Sequence, residues 1–425
     1  MNASAPNRGR RFGTRVTLAA GPADRLLAPF ASLFHRMLDR IDLGLETGAI
    51  EASLPDGSNR VLGGRGDGPV AIVEIASWTA LIRLATGGSA GWYIAWSRRE
   101  WTSPDPVPLF DLFMRNRRPL GEVGRARGIM RLARRAWHAL RRNHRSGARR
   151  NIEFHYDLGN DFYSLWLDPG MTYSSALFDE PISSEQSLES AQATKLRAIL
   201  ERTGARPGDS ILEIGCGWGS FAELAARAGI AVHGITLSAE QKRAVEARMA
   251  RQGLEGVSVS LIDYRDVAGR YDAVASIEMV EAVGQEYWPD YLEAIADALK
   301  PGGRAAIQLI SIDDEIFDAY AGNVDFIQRF VFPGGLLLSE TRFRAIAAAK
   351  GLSWEAPRRF GLHYAETLRR WRDAFEAAVS VGRLPAEFDR HFVELWRYYL
   401  MYCEGGFRGG GIDVVQVTLV KGEDA

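Results

Sequence analysis

Residues 210–238 read SILEIGCGWGSFAELAARAGIAVHGITLS, and this stretch decides the fold. An apolar run, Ile211-Leu212-Glu213-Ile214, breaks into glycines at Gly215, Gly217 and Gly219 and passes into a helical pattern through Phe221, Leu224 and Ala225. Those signals spell strand, tight turn, helix. A second apolar run, Ile230 to Ile235, follows closely enough to be the returning parallel strand of a right-handed crossover. Glycines at the turn let a ligand lie against bare backbone, and the first helical turn offers unpaired N–H groups beside it.

The spacing is G-x-G-x-G, where a phosphate-binding dinucleotide fingerprint would read G-x-G-x-x-G, and Glu213 sits on the strand just before the turn. A carboxylate there repels a diphosphate and suits an ammonium or an ordered water. This E-x-G-C-G-W-G loop resembles motif I of the S-adenosylmethionine-dependent methyltransferases. The resemblance implies an α/β fold, a doubly wound, mostly parallel seven-stranded sheet of the class I methyltransferase type. It also implies S-adenosyl-L-methionine as cofactor, held at Glu213, Gly215, Gly217 and Gly219.

A chain of 425 residues exceeds what one core usually supports, so more than one domain is expected. The texture divides it into a basic disordered tail (1–22), a small α+β accessory domain (23–106), a helical Arg-rich linker (107–150) and a catalytic domain (151–425). Two cysteines, Cys216 and Cys403, build neither a disulfide framework nor a cysteine-rich metal site, which points to a reducing compartment and no metal. Net charge is −1, but its distribution is lopsided: from Arg115 to Arg150 thirteen arginines face one acid, Glu122. Ile129, Met130, Leu132, Ala133, Trp137 and Leu140 interleave with them at helical intervals, so Ile129 to Arg142 is predicted as a basic amphipathic helix suited to an anionic membrane surface. A solvated linker is the bland alternative, and no groove-reading signature suggests nucleic acid. The longest apolar stretch, Ala71 to Trp96, is interrupted by Glu74 and Arg83, so the chain is expected to be cytoplasmic and peripheral on the inner face of the membrane.

Further motifs follow in order. Residues 155–181 read HYDLGNDFYSLWLDPGMTYSSALFDEP; residues 234–241 carry G-I-T-L-S with Gln241 on the next turn; Asp263-Tyr264-Arg265-Asp266 follows a strand predicted over Val257–Ile262. Glu278-Met279-Val280-Glu281-Ala282-Val283-Gly284 ends a strand predicted over Tyr271–Ile277, placing two carboxylates at the sheet edge where such folds bind ligands. Gln308-Leu309-Ile310 lies on the next strand, and Leu362 to Leu368 reads LHYAETL. In this order the motifs resemble those of the cyclopropane-fatty-acyl-phospholipid synthases. The resemblance adds Tyr173, Ser174, Thr236, Leu237, Gln241, Asp263, Tyr264 and Arg265 to the cofactor site, with Tyr264 covering the adenine and Asp263 reading its amino group. It makes Glu281 and Tyr364 the catalytic glutamate and tyrosine, puts Ser175 where the family has cysteine and Gln308 where it has histidine, and counts Ile310 among the catalytic positions. Helix Trp396–Gly411 and strand Val414–Val420 would close the domain.

Function follows from the same resemblance. A methyl sulfonium is already a strong electrophile, so transfer to a cis double bond of an unsaturated phospholipid acyl chain needs management of the resulting cation. Loss of a methyl proton closes a cyclopropane ring. In the family the base is a bound bicarbonate held by the glutamate, histidine, tyrosine and backbone amides; Gln308, unable to become a cation, would hold it less strongly. Cyclopropane formation is the expected reaction, with methyl- or methylene-branching without ring closure, or a non-catalytic lipid-binding role, as alternatives. Bacterial members of the family suggest a homodimer.

Overall fold

The computed structural model describes residues 26–121 and 158–423. The amphipathic helix expected over Ile129–Arg142, most of the arginine run, the N-terminal tail and the motif residues His155, Tyr156 and Asp157 lie outside the described residues. Two compact units are present.

The first unit is built on a small sheet of β1 (Ala49–Ser53), β2 (Asn59–Gly63), β3 (Val70–Ile75) and β4 (Trp101–Thr102), in the order β2-β1-β3-β4. Pro55-Asp56-Gly57 forms the β1–β2 hairpin turn: Asp56 Oδ1 accepts from the Ser58 amide at 3.0 Å and its hydroxyl at 2.6 Å, while Gly57 takes φ +80°. In β3, Ala71, Val73 and Ile75 point inward and Val70 and Ile72 outward, the period of a half-buried strand. The glycines at 87–88 kink, at Gly88 (φ +56°), one long helical stretch, Thr79–Ser97, that carries Trp92, Tyr93 and Trp96. There Trp92 stacks on Trp101 at 4.4 Å, and Trp101 Nε1 donates to the Trp92 carbonyl.

This unit also takes residues 318–331 and 388–411, from within the stretch expected as one catalytic domain. Tyr93 packs on Phe326, Phe330 and Tyr398 with ring centroids 4.8–5.1 Å apart. Helix Arg390–Arg408 lies against helix Val107–Arg115: a Cβ at Gly405 would come within 2.5 Å of Phe110 Cβ, and one at Gly409 within 2.6 Å of Met114 Cβ. Only glycine permits that approach. The helix expected to close the catalytic domain therefore packs on the first unit, because its small and aromatic face matches that surface.

The second unit holds β5 (Ser210–Ile214), β6 (Ala231–Thr236), β7 (Val257–Leu261), β8 (Tyr271–Ile277), β9 (Leu299–Ile312), β10 (Leu352–Arg359) and β11 (Ile412–Lys421), ordered β10-β11-β9-β8-β5-β6-β7. Strands β5 to β9 pair parallel, and β11 runs antiparallel to both neighbours. This is the expected mostly parallel seven-stranded sheet. Ile211, Val232, Ala273 and Ala306 on the sheet pack with Leu196, Ile199, Phe221 and Ala222 from the helices, a core of the doubly wound kind. Between β5 and β8 the chain reverses its direction of winding, which opens the ligand crevice at their carboxyl ends.

Candidate active site

At the end of β5 the turn Gly215-Cys216-Gly217-Trp218-Gly219 takes φ +83°, +51° and +84° at its three glycines, left-handed values that side chains resist. A Cβ on Gly217 would meet nothing within 4 Å, so this face of the loop is open, whereas one on Gly215 would strike Met279 Cγ at 2.8 Å. Glu213, on β5, is buried, and its Oε2 has no hydrogen-bond partner among the described residues. Burial raises its pKa well above the usual carboxylate range, opposed by the charge of Lys195. A buried acceptor without a donor beside an open glycine loop fits a ligand that brings an ammonium, as S-adenosylmethionine does.

The next two strands supply the polar rim. At the end of β6, Thr236 Oγ1 donates to Gln241 Oε1 at 2.7 Å, and Ser238 Oγ caps the following helix at the Gln241 amide. Leu237 lies part-buried between them. After β7, Asp263 is gripped by Arg265 through two bonds of 2.8 and 2.7 Å, and the Arg265 guanidinium lies 5.2 Å from the Tyr264 ring and 5.4 Å from that of Tyr287. The Tyr264 hydroxyl is buried without a partner among the described residues. Tyr173 sits against Tyr163, Trp166 and Trp371, each 5.4 Å away. Ser174 Oγ meets the ammonium of Lys195 at 2.5 Å.

Lys195 was not singled out in the sequence. It is fully buried on helix Leu188–Thr203, and burial lowers its pKa to about 8 against the opposing charges of Glu278, Asp168 and Glu213. Its spacing with Gln192, Leu196 and Ile199 on the inward face was the available signal.

On the other side of the crevice the structure brings together Ser175, Gln308 and Tyr364, but around Glu278. Glu278 Oε1 accepts from the Ser175 amide at 2.8 Å and from Gln308 Nε2 at 2.7 Å; Oε2 accepts from the Tyr364 hydroxyl at 2.8 Å. Gln308 is oriented from behind: Gln416 on the antiparallel neighbour β11 donates to its Oε1 at 3.0 Å, leaving its NH₂ for Glu278 and for the Ser175 carbonyl at 3.2 Å. The Ser175 hydroxyl donates to the Ala176 carbonyl, so it adds no donor to the site. Glu281 has a different partner, Ile310, which the resemblance also counts among the catalytic positions. Its Oε1 accepts from the Ile310 amide at 2.5 Å, and its Oε2 is buried without a partner among the described residues. Burial, and then the charge of Glu278, raise the Glu281 pKa to about 8. Glu278 is raised too by burial, but Lys195, Gln308, Ser175 and Tyr364 all favour its charged form.

The oxyanion implied by the resemblance would draw on Ser175, Gln308 and Tyr364. Each proton those three groups can offer it already goes to a protein acceptor: one from the Ser175 amide, one from the Tyr364 hydroxyl, and both from the Gln308 amide. The residues present do not fit a free bicarbonate there.

The seven-stranded sheet with one reversed strand, the glycine loop after its central strand and the acid preceding it define a class I S-adenosylmethionine-dependent methyltransferase. Residues 143–417 match the family described as mycolic acid cyclopropane synthetase, and the chain belongs to that family. It is 41% identical over 283 residues to a tuberculostearic acid methyltransferase of Mycobacterium tuberculosis, covering 65% of this chain and 66% of that one. It is 36% identical over 272 residues to the cyclopropane-fatty-acyl-phospholipid synthase of Escherichia coli, covering 63% and 67%. The chain thus spans about two thirds of the length of these relatives. The crystal structure of a mycolic acid cyclopropane synthase complexed with SAH and CTAB superposes with a TM-score of 0.60 at 30% identity, covering 64% of this chain and 98% of that one.

Proposed function

We propose that the protein transfers a methyl group from S-adenosylmethionine to the cis double bond of an unsaturated phospholipid acyl chain and removes a proton from the resulting cation, closing a cyclopropane ring. The observation that carries this reading is a carboxylate, Glu278, held by the Ser175 amide, Gln308 and Tyr364 at the end of β8, beside a glycine loop whose buried Glu213 Oε2 has no partner among the described residues. When bound, S-adenosylmethionine supplies the electrophilic methyl. Glu213 would receive its ammonium, Tyr264 and Asp263 its adenine, and Thr236 and Gln241 the rim between. Ser175, Gln308 and Tyr364 hold a negative charge in a fixed place near the developing cation, where it acts without reorganisation.

Methyl- or methylene-branching is the second reading, favoured by the identity with a relative named as a methyltransferase. The two products have the same mass when branching leaves a double bond, so the test is ozonolysis of lipids from cells expressing the chain. An ozone-resistant product supports ring closure, and a cleavable one supports branching.

The same reading places the protein at an anionic membrane surface, through the arginine run. The expected result is salt-sensitive cosedimentation with anionic vesicles that is weakened when Arg131, Arg134, Arg135, Arg141 and Arg142 become glutamate. Binding indifferent to both changes rejects the membrane role. Among the described residues no helix is long and apolar enough to cross a bilayer.

A further inference from the structure

We propose that Glu278 is the catalytic base of this enzyme, a carboxylate carried by the chain itself in place of a recruited oxyanion. The inference rests on the proposed alkene methylation and identifies the group that takes the proton.

Three observations carry it. The first is the cradle already described, in which the two carboxylate oxygens receive the Ser175 amide, the Gln308 amide and the Tyr364 hydroxyl. Both oxygens are engaged, yet Oε2 takes a single bond and keeps acceptor capacity. The holders Ser175 and Gln308 are fully buried, whereas Glu278 itself is only part-buried, so the carboxylate stands at the edge of the crevice.

The second is the backbone. Glu278 has φ +49°, a left-handed value that favours glycine and that few residues with a side chain adopt. It is fixed there by its own amide, which donates to the Gln308 carbonyl at 2.8 Å, in continuation of the β8–β9 ladder. A glutamate kept where glycine would be less strained marks a side chain retained for what it does.

The third is the neighbour. Glu281, three residues further on, has one donor, the Ile310 amide, and burial, followed by the charge of Glu278, raises its pKa to about 8. Two carboxylates whose surroundings push their protonation apart divide into one charged group and one neutral group. Glu278, which receives three donors where Glu281 receives one, is the group whose surroundings favour the charge.

The step balances simply. The alkene π pair forms the new bond to the methyl carbon as the sulfonium leaves with its electron pair, giving S-adenosylhomocysteine and a carbocation on the acyl chain. Glu278 Oε2 then takes a proton from that methyl, and the released C–H pair closes the ring. The neutral acid returns its proton to solvent.

The test uses the full chain, S-adenosylmethionine and vesicles of unsaturated phospholipid in carbonate-free buffer. Wild-type turnover is expected to change less than about twofold when bicarbonate is added, because the cradle is already filled, and Glu278→Gln is expected to lose about 10²–10⁴-fold. Glu278→Gly relieves the backbone strain and empties the cradle, so it should fold, bind S-adenosylmethionine normally and lose activity, and then regain part of it with bicarbonate or formate. Glu278→Gln fills the cradle and should gain nothing from either anion. A wild type that stalls without bicarbonate, or a Glu278→Gly variant as active as wild type in carbonate-free buffer, overturns the proposal. Carbon-13 NMR of labelled bicarbonate separates this from the function itself: a line broadened by Glu278→Gly but not by wild type supports the filled cradle even on a substrate the enzyme does not turn over, and broadening by wild type rejects it. No lipid product from wild type that binds S-adenosylmethionine would instead refute the alkene reading.

Discussion

The two sides of the crevice are finished differently. On the β5–β7 side, Glu213 Oε2 and the Tyr264 hydroxyl are buried and lack partners among the described residues, and the glycine loop is open. On the β8–β9–β11 side, Ser175, Gln308, Gln416 and Tyr364 form a chain of donors that ends on Glu278. A buried polar group without a partner is costly and is tolerated where a ligand completes it, whereas a matched network fixes its own geometry. One side is built to receive a molecule and the other to hold a charge ready before any molecule arrives.

Breaking the receiving side should have the largest effect. Gly217→Asp puts a side chain at φ +51° and a second carboxylate near Glu213. Calorimetry should show S-adenosylmethionine affinity lowered by at least about 10²-fold, roughly 2.7 kcal/mol; unchanged affinity would remove the distinction between the two sides. Next comes Tyr364→Phe, which takes the donor from Glu278 Oε2. Cofactor affinity should stay the same while kcat falls about 10–10²-fold. A change in affinity instead would place Tyr364 on the receiving side.

A subtler test is Gln416→Leu, at the one member of the donor chain that reaches Glu278 only through Gln308. Without its amide, Gln308 can rotate and present its oxygen to Glu278, so kcat should fall about tenfold, with Gln416→Glu failing to rescue because it cannot donate. The smallest effect concerns stability. The Glu281 carboxyl binds its proton more tightly folded than unfolded, so between the ordinary carboxylate range and about pH 8 the native state holds the extra proton and stability falls as pH rises. Tm should drop by roughly 1–3 °C across that window, and Glu281→Gln should flatten part of the drop. An unchanged slope in that variant would assign the neutral role to another buried acid.

Much of this was legible in the sequence. The glycine spacing, the acid before it and the ends of three strands depend on local signals, and the structure brings those residues to one edge of the sheet. The motif also named Ser175, Gln308 and Tyr364. What it could not name is the group they surround. Glu278 was visible as one of two carboxylates closing a strand, but its left-handed backbone, and the β9–β11 register that sets Gln416 opposite Gln308, arise only when distant strands pair. Lys195 was hidden for a related reason: a lysine in an amphipathic helix reads as solvated until its face is known to turn inward.

The mixed ownership of the C-terminal stretch has a consequence for how this protein can be damaged. Helix Arg390–Arg408 belongs to the first unit, and the strand that follows it, β11, belongs to the second and carries Gln416. No single protease cut separates the chain into its two units, and neither can be excised as one uninterrupted fragment. A nonsense mutation shortly after residue 387 would strip a packing helix from one unit and the orienting strand from the other, so a late truncation damages both units at once.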